Sequence, residues 1–300
     1  MKQGTWILIA VLVVLGIATY LVLRQPGETS STGSSGAMLV SYDSASVDRI
    51  DIRSGSGTII LEKESGGWML TSPLRYRADQ ASATEAIGKG NHIELKNLVS
   101  TNAEKQHLFQ VDSAGTLVRI YEKGTERAAF RIGKPSSNYM ETYVRNEKSS
   151  DVYLAEGAFS FLFNRGAKDW RDKTIFKSTA EGITSVTFHY GDTTFALVFQ
   201  DSTWRINQLP TDQTIVRSFL TALANVSADD FVDTALTSLP KMTSSIDVEG
   251  TQIRFYPEAQ GGKYYVQTSQ TPQWFELQGW RATQVLKRFK DFFPPTSTGK

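Results

Sequence analysis

The stretch Val47-Asp48-Arg49-Ile50-Asp51-Ile52 alternates apolar and polar residues, and Ile183-Thr184-Ser185-Val186-Thr187-Phe188 repeats this alternation later in the chain. A period of two is typical of a β-strand that buries one face and exposes the other. Val186 lies 136 residues after Ile50, and Trp204 lies the same 136 residues after Trp68. Because unrelated segments would not keep one spacing across two elements, the sequence predicts an internal repeat.

The repeat continues beyond the two tryptophans. Pro73 and Pro210 follow them, and Asp79-Gln80 and Asp212-Gln213 then open stretches with helical spacing of apolar residues. We therefore expect an α+β fold made of two duplicated α+β modules, each a mostly antiparallel sheet with helices packed on one face. The predicted modules cover residues 39–176 and 177–293, and a disordered tail is predicted over 294–300.

An apolar run without any charge, residues 6–23, precedes both modules. At the rise of an α-helix it spans about 27 Å, close to the roughly 30 Å hydrocarbon core of a bilayer. The sequence predicts a transmembrane helix here, a cytoplasmic stub at 1–5 and a flexible Gly/Ser/Thr-rich linker at 24–38. We expect a single-pass protein of the bacterial cytoplasmic (inner) membrane, with its N-terminus inside and an extracytoplasmic or periplasmic globule. A cleaved signal peptide is the alternative, but its small-residue site at 35–37 lies far beyond the run.

Composition excludes several classes of function. Lys plus Arg total 32 and Asp plus Glu total 31, which argues against a broad nucleic-acid footprint. The chain has no cysteine, which excludes disulfides, thiolate metal sites and cysteine nucleophiles.

Catalytic and cofactor motifs are missing from the sequence. His92, His107 and His189 have no partner at helical metal-ligand spacing, and His189 is interpreted as a solvated strand histidine. Gly133 and Lys134 are followed by a proline where a P-loop requires Ser or Thr, so Gly133 is given a structural role. We expect no cofactor, no metal and no enzymatic activity, although a dispersed Ser/His/Asp triad stays open.

Four residues and one three-residue segment stand out for structure or binding. Trp68 and Trp204 lie between apolar neighbours and are predicted core anchors. Asp79 and Asp212 precede helices and are predicted N-caps, since a carboxylate accepts hydrogen bonds from the free N–H groups there. The segment Arg75-Tyr76-Arg77 falls in a predicted loop, and this residue combination suits a protein contact.

Several short motifs occur in the order found in a known bacterial family. The chain carries them at residues 68–73, 78–79, 109–112, 130–134, 143–145, 152–154 and 170–173. In this order they resemble the family described as domain of unknown function 4340, over roughly residues 40–175 with a degenerate second copy behind. The resemblance implies a single-span envelope protein associated with an ABC-type transport system similar to that of gliding motility. It implies no catalytic residues.

The predicted function is therefore a non-enzymatic, membrane-anchored extracytoplasmic accessory or scaffold protein. Its expected partners are the membrane and another protein, with subunits of an ABC-type transporter as the implied class, and no nucleic acid. Two alternatives remain. One is a ligand-binding ectodomain with a glycan or lipid site between the modules. The other is a cryptic hydrolase, which a clustered Ser, His and Asp would support.

Overall fold

The computed structural model describes residues 36–191, 193–233, 240–259 and 261–294. The chain divides into two compact units between Trp170 and Arg171. We call the described residues up to Trp170 unit 1 and those from Arg171 onward unit 2. The predicted module boundary, between residues 176 and 177, lies a few residues later.

Unit 1 is built on a nine-stranded antiparallel sheet with the order β4-β3-β2-β1-β6-β7-β8-β9-β5. Its strands are β1 Val47–Ser54, β2 Gly57–Glu64, β3 Gly67–Ser72, β4 Tyr76–Arg77, β5 Leu95–Ser100, β6 Thr116–Glu122, β7 Thr125–Pro135, β8 Glu141–Asn146 and β9 Val152–Glu156. Its helices are α1 Gln80–Asn91 and α2 Phe159–Phe163, with 3-10 helices at Ala103–Phe109 and Ala167–Trp170.

Unit 2 contains a second nine-stranded antiparallel sheet, with the order β14-β13-β12-β11-β17-β18-β19-β20-β16. Its strands are β11 Ser185–Tyr190, β12 Thr193–Gln200, β13 Thr203–Ile206, β14 Leu209–Pro210, β16 Asp230–Phe231, β17 Ser244–Val248, β18 Thr251–Pro257, β19 Lys263–Thr268 and β20 Thr271–Gln278. A small separate sheet pairs β10 Thr174–Lys177 with β15 Asn225–Ser227. Its helices are α3 Gln213–Leu223 and α4 Gly279–Val285, with a 3-10 helix at Phe289–Phe292.

The two large sheets have the same topology. In each, four strands in hairpin succession lead into a helix, an edge strand follows, and four further strands end in a short helix and a 3-10 turn. Trp68 on β3 and Trp204 on β13 occupy equivalent strands. The pairing of chain segments outside the large sheets also matches. In unit 1, residues 36–39 form backbone hydrogen bonds with residues 93–95, much as strand β10 pairs with strand β15 in unit 2.

Alternating side chains build the core of each unit. On β1, Ile50 and Ile52 are buried and pair with Leu61 and Ile59 of β2. In unit 2 the ring of Phe188 on β11 stacks on Phe195 at 4.8 Å between centroids. Full burial of such side chains stabilises the folded state by about 1.5–3 kcal/mol each.

The predicted α+β fold class is wrong, because the described chain is mostly antiparallel β. The closing helices are only five residues (α2) and seven residues (α4) long. Period-two alternation dominates both halves of each unit, so strands take most of the residues. Asn164 caps the first closing helix and Gly166 follows it, and both residue types favour a helix end over its continuation.

The predicted membrane topology is also corrected. Among the described residues, every helix is too short or too polar to cross a bilayer. The predicted stub, transmembrane helix and most of the linker fall at residues 1–35, outside the described ranges, and the predicted tail does so from residue 295 onward. The single-pass topology and the inner-membrane, periplasmic localisation are contradicted by this finding and are not retained.

Candidate functional site

The start of helix α1 is held by a junction of two side chains, which we call the Asp-Gln junction. The carboxylate of Asp79 accepts a hydrogen bond from the backbone N–H of Ser82 at 2.7 Å. The next side chain, Gln80, accepts from the N–H of Trp68 at 2.7 Å and donates to the carbonyl of the same residue at 2.9 Å. Because one amide satisfies both backbone groups of Trp68, it fastens the helix to strand β3.

The same junction occurs in unit 2. Asp212 accepts from the N–H groups of Thr214 and Ile215, at 2.8 and 3.2 Å. Gln213 accepts from the N–H of Trp204 at 3.3 Å and donates to the carbonyl of that residue at 3.4 Å. These bonds are longer than their counterparts in unit 1, and Gln213 is exposed.

Each junction is completed by the end of its own unit. The N–H of Asp79 donates to the carbonyl of Trp170 at 2.9 Å, and the N–H of Asp212 donates to the carbonyl of Phe292 at the same distance. Trp68 and Trp204 are themselves buried, at 6% and 9% exposure. Four of the five residues predicted to be structural, all except Gly133, thus lie at one repeated junction. The two glutamines were missed, although the repeated Asp-Gln pair was the signal that could have identified them.

Gly133 lies where two backbones come close together. A Cβ at this position would stand 2.2 Å from the carbonyl oxygen of Phe109 and 2.7 Å from Cγ1 of Val111. The glycine therefore allows the segment after the 3-10 helix Ala103–Phe109 to lie directly on strand β7.

A buried cluster of charges holds the same segment. The Arg145 guanidinium, 7% exposed, donates to the carbonyls of Val111 at 2.9 Å and Ser149 at 2.8 Å. Glu147 lies 3.0 Å from Arg145 and 2.7 Å from Arg131. Burial alone would raise the pKa of Glu147, but the hydrogen bond and charge of Arg131, with the charge of Arg145, hold it below its usual range. The cluster is interpreted as structural, because its donors are directed at backbone carbonyls.

The segment Arg75-Tyr76-Arg77 is a strand edge and not the predicted loop. Tyr76 and Arg77 form β4, which pairs with Leu70 and Met69 of β3. The side chain of Arg75 is 63% exposed and pairs with Glu64 at 2.8 Å. An exposed pair of this kind contributes about 0–1 kcal/mol to stability. The predicted interaction role of this segment stays a prediction.

The histidines lie at three separate places. Nδ1 of His92 is 2.8 Å from the Gly88 carbonyl, and Nδ1 of His107 is 2.7 Å from the Glu104 carbonyl. Both contacts are local, within one turn. Over the described ranges, His, Asp and Glu side chains form no group of three that could hold a metal ion.

His189 belongs to a cross-strand group with a hydroxyl and a carboxylate. One ring nitrogen is 2.8 Å from Asp247 and the other is 3.1 Å from the Thr194 hydroxyl. The order hydroxyl, imidazole, carboxylate is that of a nucleophile relay. However, Thr194 and His189 stand directly opposite each other on paired strands, and the imidazole is partly exposed. This arrangement is that of a polar cross-strand ladder on a sheet surface.

Large exposed apolar side chains mark one end of unit 1. Tyr139 and Met140, in the turn between β7 and β8, are 66% and 72% exposed, and Phe161 on α2 is 64% exposed. The turn is held by its own hydrogen bonds, including one from the Met140 N–H to the Asn138 side chain at 2.9 Å. The Met140 carbonyl accepts from the N–H of Gly157, just before α2, at 2.9 Å.

Unit 2 exposes a large aromatic side chain at the equivalent place. The N–H of Gly279 donates to the carbonyl of Gly262 at 3.1 Å, as Gly157 donates to Met140 in unit 1. Trp280, next in the chain, is 65% exposed. We call these two places the apolar ends of the units. Sequence reasoning missed them, although Tyr139 and Met140 in an otherwise polar turn were a usable signal.

Two units of like topology, each fastened at an Asp-Gln junction and each exposing an apolar end, define a duplicated antiparallel β protein. The chain belongs to the family described as Domain of unknown function (DUF4340), whose sequence model matches residues 68–243. The match covers more than half of the chain and includes the Asp-Gln junctions of both units, so the resemblance seen in the sequence is confirmed. No curated protein and no solved structure matches the chain.

Proposed function

We propose that this protein is a non-catalytic accessory or scaffold protein that acts by binding another protein. The observation that carries the proposal is the pair of apolar ends, which the two units expose at equivalent places. Single exposed apolar residues are common on protein surfaces. Two such side chains in one hydrogen-bonded turn of unit 1, a third on the helix α2 that follows, and an exposed tryptophan at the equivalent turn of unit 2 are not explained by packing within either unit.

The chemistry of the apolar ends suits a protein partner. Tyr, Trp, Phe and Met are enriched in protein interfaces, because they bury a large area with few rotatable bonds or adapt to an irregular surface. The turn that carries Met140 is fixed by its own hydrogen bonds, so binding there would cost little ordering of the backbone. The family resemblance implies an ABC-type transport system, and we propose its subunits as the first partner class to test.

Affinity purification of the tagged full-length chain from its native cells tests the proposal. The variants Met140→Ser and Trp280→Ser each remove one exposed apolar side chain without touching the core. Leu209→Ser is the matched control, since Leu209 is 53% exposed on the edge strand β14, far from β19 and β20 in the strand order of its own sheet.

We expect one partner to co-purify with the wild-type chain and the control, and to be reduced at least about tenfold by either end variant, a change of about 1.4 kcal/mol in binding. Equal recovery by all four proteins would contradict the proposal.

A groove beside Trp204 supports a second candidate function, the binding of a small polar ligand such as a glycan fragment. The groove encloses about 320 Å³ and is lined by Phe199, Trp204, Glu181 and Arg217. The rings of Phe199 and Trp204 are 5.4 Å apart, and Phe199 is 47% exposed. An exposed ring flanked by polar groups is suited to stacking a sugar. Saturation-transfer NMR with an oligosaccharide set would detect binding, which Phe199→Ala should abolish.

A further inference from the structure

Unit 2 contains an open groove between helices α3 and α4. It encloses about 370 Å³, and its walls include Ile215, Ser218, Phe219 and Ala222 of α3, and Gln284 and Lys287 from α4 and just beyond. Phe219 is almost fully buried and forms the apolar floor, whereas Ser218 and Gln284 are exposed at the rim.

The duplication identifies the corresponding place in unit 1. The segment Phe163–Trp170 aligns with Val285–Phe292, and each contains Lys-Asp before its final aromatic residue. The alignment holds in three dimensions, since Asp169 accepts from the Gly166 N–H at 3.2 Å and Asp291 accepts from the Arg288 N–H at 2.8 Å.

The residues that line the groove can therefore be matched one by one. Arg165 corresponds to Lys287 through this alignment. Glu85 of α1 corresponds to Ser218 of α3, because each lies six residues after the capping aspartate of its Asp-Gln junction.

In unit 1 this place is occupied by the side chains of the unit itself. Arg165 reaches across to α1, where it lies 3.9 Å from the carboxylate of Glu85 and 3.5 Å from the hydroxyl of Ser82. Its guanidinium also lies over the ring of Trp170, at 5.6 Å from the centroid.

In unit 2 the carboxylate is missing. Ser218 stands where unit 1 has Glu85, so α3 offers Lys287 no counter-charge. Within the described ranges, neither Lys287 nor Lys290 lies within ion-pair distance of a carboxylate. Arg288 rests on the ring of Tyr190 at 3.8 Å from its centroid. The nearest acid along the chain, Asp291, already accepts a hydrogen bond from the backbone. One edge of the apolar groove is thus a cationic rim without the carboxylate that unit 1 has at the corresponding place.

We propose that this groove binds an amphipathic, acidic helical segment of a partner protein. The apolar face of that segment lies on Ile215, Phe219 and Ala222, and one of its carboxylates pairs with Lys287, as Glu85 pairs with Arg165 in unit 1. A helix fits better than an extended peptide, because the groove is walled by helices and offers no strand edge to the backbone of a bound peptide. Trp280 precedes Gln284 by one turn on the same face of α4, which extends the surface toward the apolar end.

The inference rests on the proposed function in one respect, namely that the occupant is a protein. It adds the place and the chemistry of that occupant.

Ser218→Glu is the decisive variant, because it introduces in unit 2 the carboxylate that unit 1 already has. The new side chain should pair with Lys287 and cover the groove without harming the fold. Thr221→Glu adds the same charge on the same helix outside the groove and is the matched control.

The probe is a fluorescent synthetic peptide of about 18 residues, or five helical turns, with a leucine face flanked by glutamates. A second peptide has lysine in place of every glutamate. Fluorescence anisotropy is measured with the full chain at low and high salt.

We expect saturable binding of the acidic peptide that weakens with salt, and at least about tenfold weaker binding of the basic one. Ser218→Glu should weaken binding about tenfold or more with an unchanged or higher Tm, and Thr221→Glu should change it by less than about twofold.

Equal binding of the two peptides, or no effect of Ser218→Glu, would overturn the proposal. So would binding of anionic vesicles that Ser218→Glu abolishes without any peptide binding, since the occupant would then be a lipid surface. If partner capture through Met140 persists while these peptide results fail, the groove proposal alone is wrong. If the full chain captures no partner at all, it is the proposed function that fails.

Discussion

Replacing Gln80 with leucine should destabilise the protein much more than the same change at Gln213. Leucine keeps most of the side-chain volume and removes both hydrogen-bonding groups. In unit 1 the amide makes three bonds of 2.7–2.9 Å, to the N–H and carbonyl of Trp68 and to the carbonyl of Ala78. The carbonyl of Trp68 keeps a second bond, from the Ala78 N–H at 3.0 Å, so the N–H is the group left unpaired.

An unpaired, partly buried N–H costs about 1–3 kcal/mol, so Gln80→Leu should lower the free energy of unfolding by about 2 kcal/mol. The bonds of Gln213 to Trp204 are 3.3 and 3.4 Å long and this side chain is exposed, so water can replace it. Its loss should cost about 0.5–1 kcal/mol.

Two assays on the full chain separate these effects. Urea unfolding gives the overall free energy, and hydrogen exchange read by NMR gives the protection of the Trp68 and Trp204 amides individually. Gln80→Leu should reduce protection at Trp68 by at least about tenfold, which corresponds to 1.4 kcal/mol, and leave Trp204 unchanged. An equal loss of unfolding free energy in the two variants, or unchanged protection at Trp68, would refute the conclusion that Gln80 links helix α1 to strand β3.

Three further predictions concern unit 1. Gly133→Ala should destabilise the protein by about 1–3 kcal/mol in urea unfolding, because the added Cβ meets the Phe109 carbonyl at 2.2 Å, and a neutral result would contradict the close approach. Gly67→Ala should lower the stability by a similar amount, since Gly67 has φ of +109° and its Cβ would stand 2.5 Å from Oε1 of Gln80. Comparing the Tm of this variant with that of the wild type tests this prediction. The pKa of Glu147 is held below its usual range in the folded state, so its stabilising contribution is complete above about pH 4.5 and is lost as the pH falls through the folded pKa. Glu147→Gln should therefore lower stability at pH 7 and reduce the acid-dependent loss below pH 4.5, whereas an unchanged acid profile would show that Glu147 is not a titrating contributor.

Local sequence was a good guide to features that depend on local chemistry. The alternation at 47–52 and 183–188 corresponds to strands β1 and β11, which occupy equivalent positions. Asp79 and Asp212 cap helices, as expected from the position of each one just before a helical stretch. The fold class was wrong because apolar residues after β9 and β20 suggested helices, whereas these helices end within two turns.

Features that depend on distant chain segments could not be predicted. The hydrogen bond between the Gln80 side chain and the Trp68 backbone joins helix α1 to strand β3. The contact of Arg165 with Glu85 joins residues 80 positions apart. The exposure of Tyr139 and Met140 depends on the turn conformation, with Tyr139 at φ of +61°, and apolar residues alone do not signal it. In the N-terminal region, where hydropathy predicted a membrane helix, the run lies outside the described residues.

Photo-crosslinking from the apolar ends tests the central claim most directly. A photoreactive phenylalanine analogue is placed at position 140 or 280 of the full-length chain in its native cells, with position 209 as the exposed control. The account predicts that positions 140 and 280 each crosslink to a discrete protein partner, identified by mass spectrometry, and that position 209 does not. A uniform background at all three positions, or crosslinks from position 209 alone, would contradict a protein-binding role for the apolar ends.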